Sequence, residues 1–306
     1  MSKVSVIAIS YNHSSYIEEA LNSIFQQTHK NIELIVLDDG STDNSRTVVK
    51  EVIGERNAKL ILNEENQGYT RTFNRGLTLA TGDFIVDFAL DDVMTPTFLE
   101  ESIKALQASG EGFGVSFANA EYIDEDSTVT AVHTESLRSR GIIDWVPQGD
   151  IFQMVLKRYF ICTPTMVMRK SVFDRIGGYD EDLTYEDFDF WVRTSRYWKY
   201  CYVDKILVRK RKLRTSMSSQ RYQHQLNGQM RSVFKVCQKA ASLCDSNSDY
   251  KALSIRLNYE FRQCLRHRAW DLAIEYRNLL KKNRLSFDLA SLWLGWFGFR
   301  LRLRLK

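Results

Sequence analysis

From Val4 to Asp92 the chain alternates short apolar, β-prone runs with segments of helical periodicity, and this alternation limits its folds more than any other feature. Residues 4–10, 32–37, 59–63 and 83–90 read as buried strands. Ile17, Ala20, Leu21, Ile24 and Phe25 recur at helical spacing, as do Phe73, Leu77 and Ala80. Helices are predicted over residues 16–27, 44–53 and 68–80. Strand followed by helix, repeated, requires right-handed crossovers and a largely parallel sheet. The expected fold is α/β: a mixed, mostly parallel sheet flanked by helices, with a helical C-terminal region.

The remaining chain is less regular. Pro96 opens a predicted helix over 97–108, and residues 113–117 form a fifth strand. Residues 119–147 read as irregular, with a hairpin near Asp124-Glu125-Asp126-Ser127. Further elements are expected at 150–158 (helix), 165–168 (strand), a short helix capped by Ser171, 186–197 (helix) and 200–208 (strand). From Ser218 the pattern is helical, over roughly 219–243, 248–265 and 268–282. The expected organisation is a domain over 1–217, a helical region over 218–285 and a basic amphipathic tail over 286–306.

Charge is divided unevenly. Residues 1–198 carry 18 Lys+Arg against 31 Asp+Glu, a net of −13. Residues 199–306 carry 24 against 7, a net of +17, which suits an anionic surface or ligand. The five cysteines are odd in number and lack metal-site spacing, so reduced thiols in a cytoplasmic protein are expected. The start reads as a first strand and not as a signal peptide. No apolar run reaches the ~18 residues needed to span a bilayer.

Four clusters carry candidate chemistry. Asp91 and Asp92 end the strand that begins near Gly82. Carboxylates at the C-terminal edge of such a sheet can hold a hard divalent cation, although an Asp-Asp turn needs no ligand. Asp38-Asp39-Gly40-Ser41-Thr42-Asp43 ends the second strand, where a carboxylate can accept from a base N–H or from ribose; a turn followed by a helix cap accounts for it equally well. Asn66-Gln67-Gly68 opens a helix carrying Arg71, Asn74 and Arg75, and a helix N-terminus favours anions. It has neither G-x-G-x-x-G nor P-loop spacing. Glu186, Asp187 and Asp189 begin another helix, where the helix dipole alone would favour acidic residues. A general base among them would have to reach an acceptor hydroxyl.

Together these blocks resemble the family-2 glycosyltransferases of the GT-A fold, of the bacterial polysaccharide or O-antigen type. The resemblance rests on Val4-Ser5-Val6-Ile7 with Ser10-Tyr11-Asn12, Gln27-Thr28, Glu33 to Asp43, Asn66, Gly68 and Asn74-Arg75-Gly76. It continues through Ala80-Thr81-Gly82-Asp83, Asp91-Asp92 with Pro96, Gly177-Gly178-Tyr179-Asp180, and Glu186-Asp187 with Arg193. It covers residues 4–218. It implies a nucleotide-sugar donor, a UDP-sugar by preference, bound by Ser10, Tyr11, Asn12, Asp39, Asn66, Gly68, Arg71, Asn74, Asp91 and Arg211. Asp39 would contact the base. Asp91, with Asp92 beside it, would hold Mn²⁺ or Mg²⁺. Asp187 would be the catalytic base of an inverting hexosyl transfer to a hydroxyl of a glycan or lipid-linked acceptor. Two departures stand out: Ala89 and Leu213 occupy positions where the family commonly has Asp and often has His.

In the tail, Trp293, Trp296, Phe297 and Phe299 precede and interleave with Arg300, Arg302, Arg304 and Lys306. Aromatics flanked by cations suit a membrane interface, which would place the enzyme on the inner face of the cell membrane. A docked packing element is the competing reading. No nucleic-acid partner is expected. Two alternatives to the transferase remain at this level: a nucleotidyltransferase, and a non-catalytic sugar-nucleotide-binding protein.

Overall fold

A computed structural model describes residues 2–213 and 227–285. The tail over 286–306 and the segment Ser216-Met217-Ser218 lie outside the described residues. Nine strands form one sheet: β1 (Val4–Ser10), β2 (Ile32–Asp38), β3 (Ala58–Leu62), β4 (Phe84–Ala89), β5 (Val93–Met94), β6 (Phe113–Ile123), β7 (Val129–Val132), β8 (Val167–Arg169) and β9 (Lys199–Arg211). Their order is β3-β2-β1-β4-β8-β6-β9-β5, with β7 paired to β6. β1 to β4 are mutually parallel, as expected, while β8 runs antiparallel to both β4 and β6. The sheet is therefore mixed.

The first helices are α1 (Ile17–Phe25), α2 (Ser45–Ile53), α3 (Tyr69–Leu79) and α4 (Phe98–Ser109). All seven residues of β1 are buried, because both faces of the sheet are covered. One face sends Val4, Val6, Ala8, Val36, Val86 and Phe88 into a core with Ile17, Leu21, Ile24, Val49 and Leu99. Full burial of each such side chain contributes roughly 1.5–3 kcal/mol, which outweighs local propensity. At the N-terminal edge, Glu33 accepts from Ser5 Oγ, Thr81 N, Lys3 Nζ and Lys59 Nζ. This network secures the edge of the sheet opposite to Asp91.

Residues 119–147 contain the expected hairpin at 124–127 but are otherwise more regular than expected. β6 continues to Ile123, β7 follows, and residues 133–139 form α5 (His133–Ser139). The β6–β9 register shifts around Ala118, Asn119 and Ala120. Asn119 Oδ1 there accepts from Ala120 N, Thr134 N and Thr134 Oγ1. The bulge breaks the period-2 pattern, so sequence periodicity misses the second half of the strand. β9 likewise runs beyond Val208, since Arg209, Lys210 and Arg211 pair with Glu121, Tyr122 and Ile123 despite their polarity.

The described residues separate into two units. The first holds the sheet: residues 2–151, 160–181 and 197–213, including α7 (Lys170–Ile176). The second is helical: residues 152–159, 182–196 and 227–285. It contains α6 (Phe152–Lys157), α8 (Glu186–Ser195), α9 (Asn227–Leu243), α10 (Asn247–Arg266) and α11 (Trp270–Lys282). Two short pieces of the first 217 residues thus belong to the helical unit. Its centre is a buried cation among rings: Arg256 lies 4.1 Å from the Tyr159 centroid and 5.1 Å from that of Phe188. Arg256 also pairs with Glu260 at 3.0 Å and donates Nε–H to Leu156 O at 2.8 Å. Among the described residues no helix is long and apolar enough to cross a membrane, and the five cysteines are free and buried.

Candidate active site

In the order β3-β2-β1-β4, the chain winds outward from β1 to β3 and then returns to the other side of β1 as β4. The reversal lies between β1 and β4, and open α/β sheets bind ligands beyond the strand C-termini at such a point. Loops after β1, β2, β3 and β4 meet this edge within the first unit.

The loops after β1 and β2 are laced together. Asn12 adopts φ +57°, and its Oδ1 accepts from Thr42 N at 2.9 Å and Asp43 N at 3.4 Å. Asn12 N donates to Ser41 Oγ, His13 N to Ser45 Oγ and Ser14 N to Asp43 Oδ2. Burial raises the Asp43 carboxyl, but the hydrogen bonds from Ser45 and Ser14 outweigh it and hold it down at about 2. Tyr11 is exposed, while Ser10 is buried with no partner for its Oγ among the described residues. Asp38 is committed inside the loop to Ser41 and Arg46.

Asp39 is 2% exposed and ties β2 to the start of α3. Its Oδ1 accepts from Asn63 Nδ2 at 2.8 Å, Gln67 N at 2.9 Å and Thr72 Oγ1 at 2.7 Å; its Oδ2 accepts from Gly68 N at 3.0 Å. Gly40 has φ +76°, and a Cβ there would lie 2.4 Å from Asn66 N, so the loop carrying Asn66 passes over bare backbone. Asn66 is exposed, and its Oδ1 accepts from Gly68 N.

On α3, Arg71 is exposed and pairs with Glu181 at 3.5 Å. Asn74 clamps the glycine turn after α7: its Oδ1 accepts from Tyr179 N at 2.9 Å, and its Nδ2 donates to Tyr179 O at 2.9 Å. A Cβ on Gly178, at φ +93°, would lie 2.6 Å from Asn74 Oδ1. Asp87, buried in β4, accepts from Tyr69 Oη at 2.6 Å and Tyr179 Oη at 2.9 Å. The sequence reading gave Tyr69, Tyr179 and Asp87 no role, because their partners lie far apart in the chain.

The adjacent aspartates diverge. The Asp91 side chain is 15% exposed at the reversal point, and its Oδ2 lies 4.0 Å from His13 Nε2. Asp92 is buried and accepts from Arg211 N at 2.7 Å. Burial, and then the neighbouring Asp91 charge, push its carboxyl well above the ordinary range. Arg211 is fully buried as well. It donates to Asp91 O, Asp124 O, Ser127 Oγ and Glu19 Oε2, and stacks 4.5 Å over Tyr16. Its donors therefore fasten the Asp91 loop to α1 and to the β6–β7 turn.

Of the adjacent pair, Asp91 is the partly exposed carboxylate that a divalent cation would find. Among the described residues no group of three or more His, Cys, Asp or Glu could cage a metal. That donor set suits Mg²⁺ or Mn²⁺, which commonly take one or two carboxylates and fill their remaining positions with phosphate oxygens and water.

In the helical unit, Asp187 lies in the first turn of α8 and is half-buried, as is Glu186. Asp189 is 1% exposed and held by Arg193 at 2.6 Å and Lys239 at 2.7 Å. Asp189 is thus a structural anchor.

The family model described as glycosyl transferase family 2 matches residues 5–177, more than half of the chain. The chain is 29% identical over 242 residues to an uncharacterized glycosyltransferase of Haemophilus influenzae, covering 73% of this chain and 69% of that protein. Its fold is similar to that of S. aureus TarS residues 1–349 in complex with UDP-GlcNAc, with a TM-score of 0.65, 20% identity, and coverage of 85% of this chain and 72% of that one. A similar likeness holds for the mannosyltransferase PcManGT from Pyrobaculum calidifontis in complex with GDP-Man and Mn²⁺. There the TM-score is 0.64 at 16% identity, covering 99% of this chain and 81% of that one.

Proposed function

The chain belongs to glycosyl transferase family 2, and from that premise we propose that it transfers a hexose from a nucleotide-sugar, UDP-linked by preference, to a hydroxyl of a glycan or lipid-linked acceptor. One observation carries the reading: Asp91 is the partly exposed carboxylate at the reversal between β1 and β4, while its neighbour Asp92 is buried against Arg211. The ligands named for TarS and for the Pyrobaculum enzyme, UDP-GlcNAc and GDP-Man with Mn²⁺, support a nucleotide-sugar and a divalent ion.

Asp91 would hold the cation. When bound, Mn²⁺ or Mg²⁺ offsets the charge that develops on the diphosphate leaving group. The base and ribose would lie against the laced loops of Ser10–Asn12 and Asp39, and against Asn66 and Gly68. Asp92 and Arg211 would hold the Asp91 loop in place without touching the donor. Arg71 is an exposed cation of α3 and would exchange Glu181 for a ligand anion. Asp187 would accept the acceptor proton as that oxygen attacks the anomeric carbon. The bond from that carbon to the diphosphate oxygen breaks, the diphosphate keeps the electron pair, and one displacement inverts the anomeric centre.

The tail supports a peripheral attachment to the inner membrane face, where a lipid-linked acceptor of polysaccharide synthesis would be met. Each of Arg300, Arg302, Arg304 and Lys306 near an anionic surface is worth about 1 kcal/mol. Sedimentation with anionic liposomes tests this: the full chain binds, and a chain ending at Leu285 does not.

Calorimetry with UDP and GDP, with and without Mn²⁺, tests the site. Wild type binds one of them in a metal-dependent way, and Asp91→Ala loses the metal-dependent part while remaining folded. Metal-dependent affinity unchanged in Asp91→Ala would refute the assignment. Release of free nucleoside diphosphate rather than pyrophosphate separates this reading from a nucleotidyltransferase.

A further inference from the structure

His13 sits in the loop after β1, and nothing in the chemistry above uses it. Its backbone is fixed by the bond from His13 N to Ser45 Oγ at 2.9 Å. Its side chain is 19% exposed, with Nε2 4.0 Å from Asp91 Oδ2, across the reversal between β1 and β4. Its Nδ1 is buried and has no partner among the described residues.

This asymmetry locates the proton. A buried N–H without an acceptor costs about 1–3 kcal/mol, and orphaned N–H groups are rarer than under-filled acceptors. Nδ1 therefore carries the lone pair, and Nε2 carries the hydrogen. Nε2–H does not donate directly to Asp91, since 4.0 Å exceeds hydrogen-bond range. It is a donor beside the proposed cation-holding carboxylate, able to meet an oxygen about 2.9 Å away. Ser10 Oγ, buried at the end of β1, also lacks a partner among the described residues.

We infer that His13 donates its Nε2–H to a diphosphate oxygen of the donor nucleotide, and so grades ligands by their phosphates. This rests on the nucleotide-sugar reading of the same site. The bond strengthens as the leaving diphosphate gains negative charge.

The test compares wild type, His13→Ala and His13→Gln, each checked for folding by circular dichroism. Calorimetry in excess Mn²⁺ uses UDP, UMP and uridine, with the guanosine series in parallel. Electron paramagnetic resonance measures Mn²⁺ binding without nucleotide. His13→Ala should weaken the nucleoside diphosphate roughly 10- to 100-fold, the worth of a hydrogen bond to a charged group. Nucleoside and Mn²⁺ binding should stay unchanged, and His13→Gln, which keeps an N–H donor, should recover part of the loss. Equal losses for uridine and UDP, or reduced Mn²⁺ binding without nucleotide, would overturn the inference. Unchanged diphosphate affinity in His13→Ala would overturn it while leaving the site reading intact. If wild type binds neither UDP nor GDP, the nucleotide-sugar reading fails first and takes this inference with it.

Discussion

Replacing Asp39 with Asn separates what this carboxylate does for the fold from what it does for a ligand. The native carboxylate accepts four hydrogen bonds: three on Oδ1, from Asn63, Gln67 and Thr72, and one on Oδ2, from Gly68. An asparagine can keep its oxygen toward the three donors, but its NH₂ group then faces Gly68 N–H. That N–H is not orphaned, because Asn66 Oδ1 also accepts it at 2.9 Å. The cost is therefore one lost charge-assisted bond and three weakened ones. Bonds to charged groups are worth roughly 1.5–3 kcal/mol and neutral ones roughly 0.5–1.5 kcal/mol. Allowing for non-additivity among contacts sharing one group, Asp39→Asn should destabilise the sheet unit by about 2–3 kcal/mol. For a unit of this size each kcal/mol shifts Tm by roughly 2–4 °C, so ligand-free thermal unfolding should fall by about 4–12 °C. An unchanged Tm with collapsed nucleotide affinity would refute the structural account and return Asp39 to the ligand alone.

Asp187→Asn should keep UDP affinity and lose transfer by ~10²–10⁴-fold, as removal of a general base does; near-normal turnover, measured by diphosphate release, would move the base to Glu186. Gly178→Ala should destabilise by about 2–3 kcal/mol through its positive φ and its collision with Asn74. Adding Asn74→Ala should relieve the collision, so that urea melts of the four proteins in the double-mutant cycle show coupling of about 1 kcal/mol or more. Burial raises the Glu33 carboxyl, but hydrogen bonds from Ser5, Thr81, Lys59 and Lys3 outweigh it and place it well below the ordinary range. Its stabilisation is therefore complete above the unfolded carboxyl pKa and is lost as pH falls toward the folded one. Glu33→Gln should flatten the stability–pH curve below about pH 4.5 and leave its slope near neutrality alone, and a slope change only near neutrality would contradict this.

The strands β1 to β4 and their helices were legible because each buries two faces or one stripe, and burial writes a period into the residues. Asp91 was legible for the same reason, since it ends a run whose apolar part could only be a core strand. The second half of β6 was not, because the Asn119 bulge resets its period and its partner β9 is polar there. Neither was the split of the chain into units, since Phe152–Tyr159 and Asp182–Arg196 carry no composition shift that marks them as part of the helical unit. The site shows the same limit at the scale of single residues. Asp91 and Asp92 are indistinguishable in sequence, yet a backbone N–H from Arg211, 119 residues away, buries one and leaves the other at the edge. Asn12 and Asn74 likewise read as ligand contacts, and the structure shows each also bonding backbone that no local pattern could name. Residue type at a strand end announces that chemistry is available. Which atom is left to perform it depends on which donors the distant chain has already supplied, and at this edge they leave the Asp91 carboxylate partly exposed while burying that of Asp92.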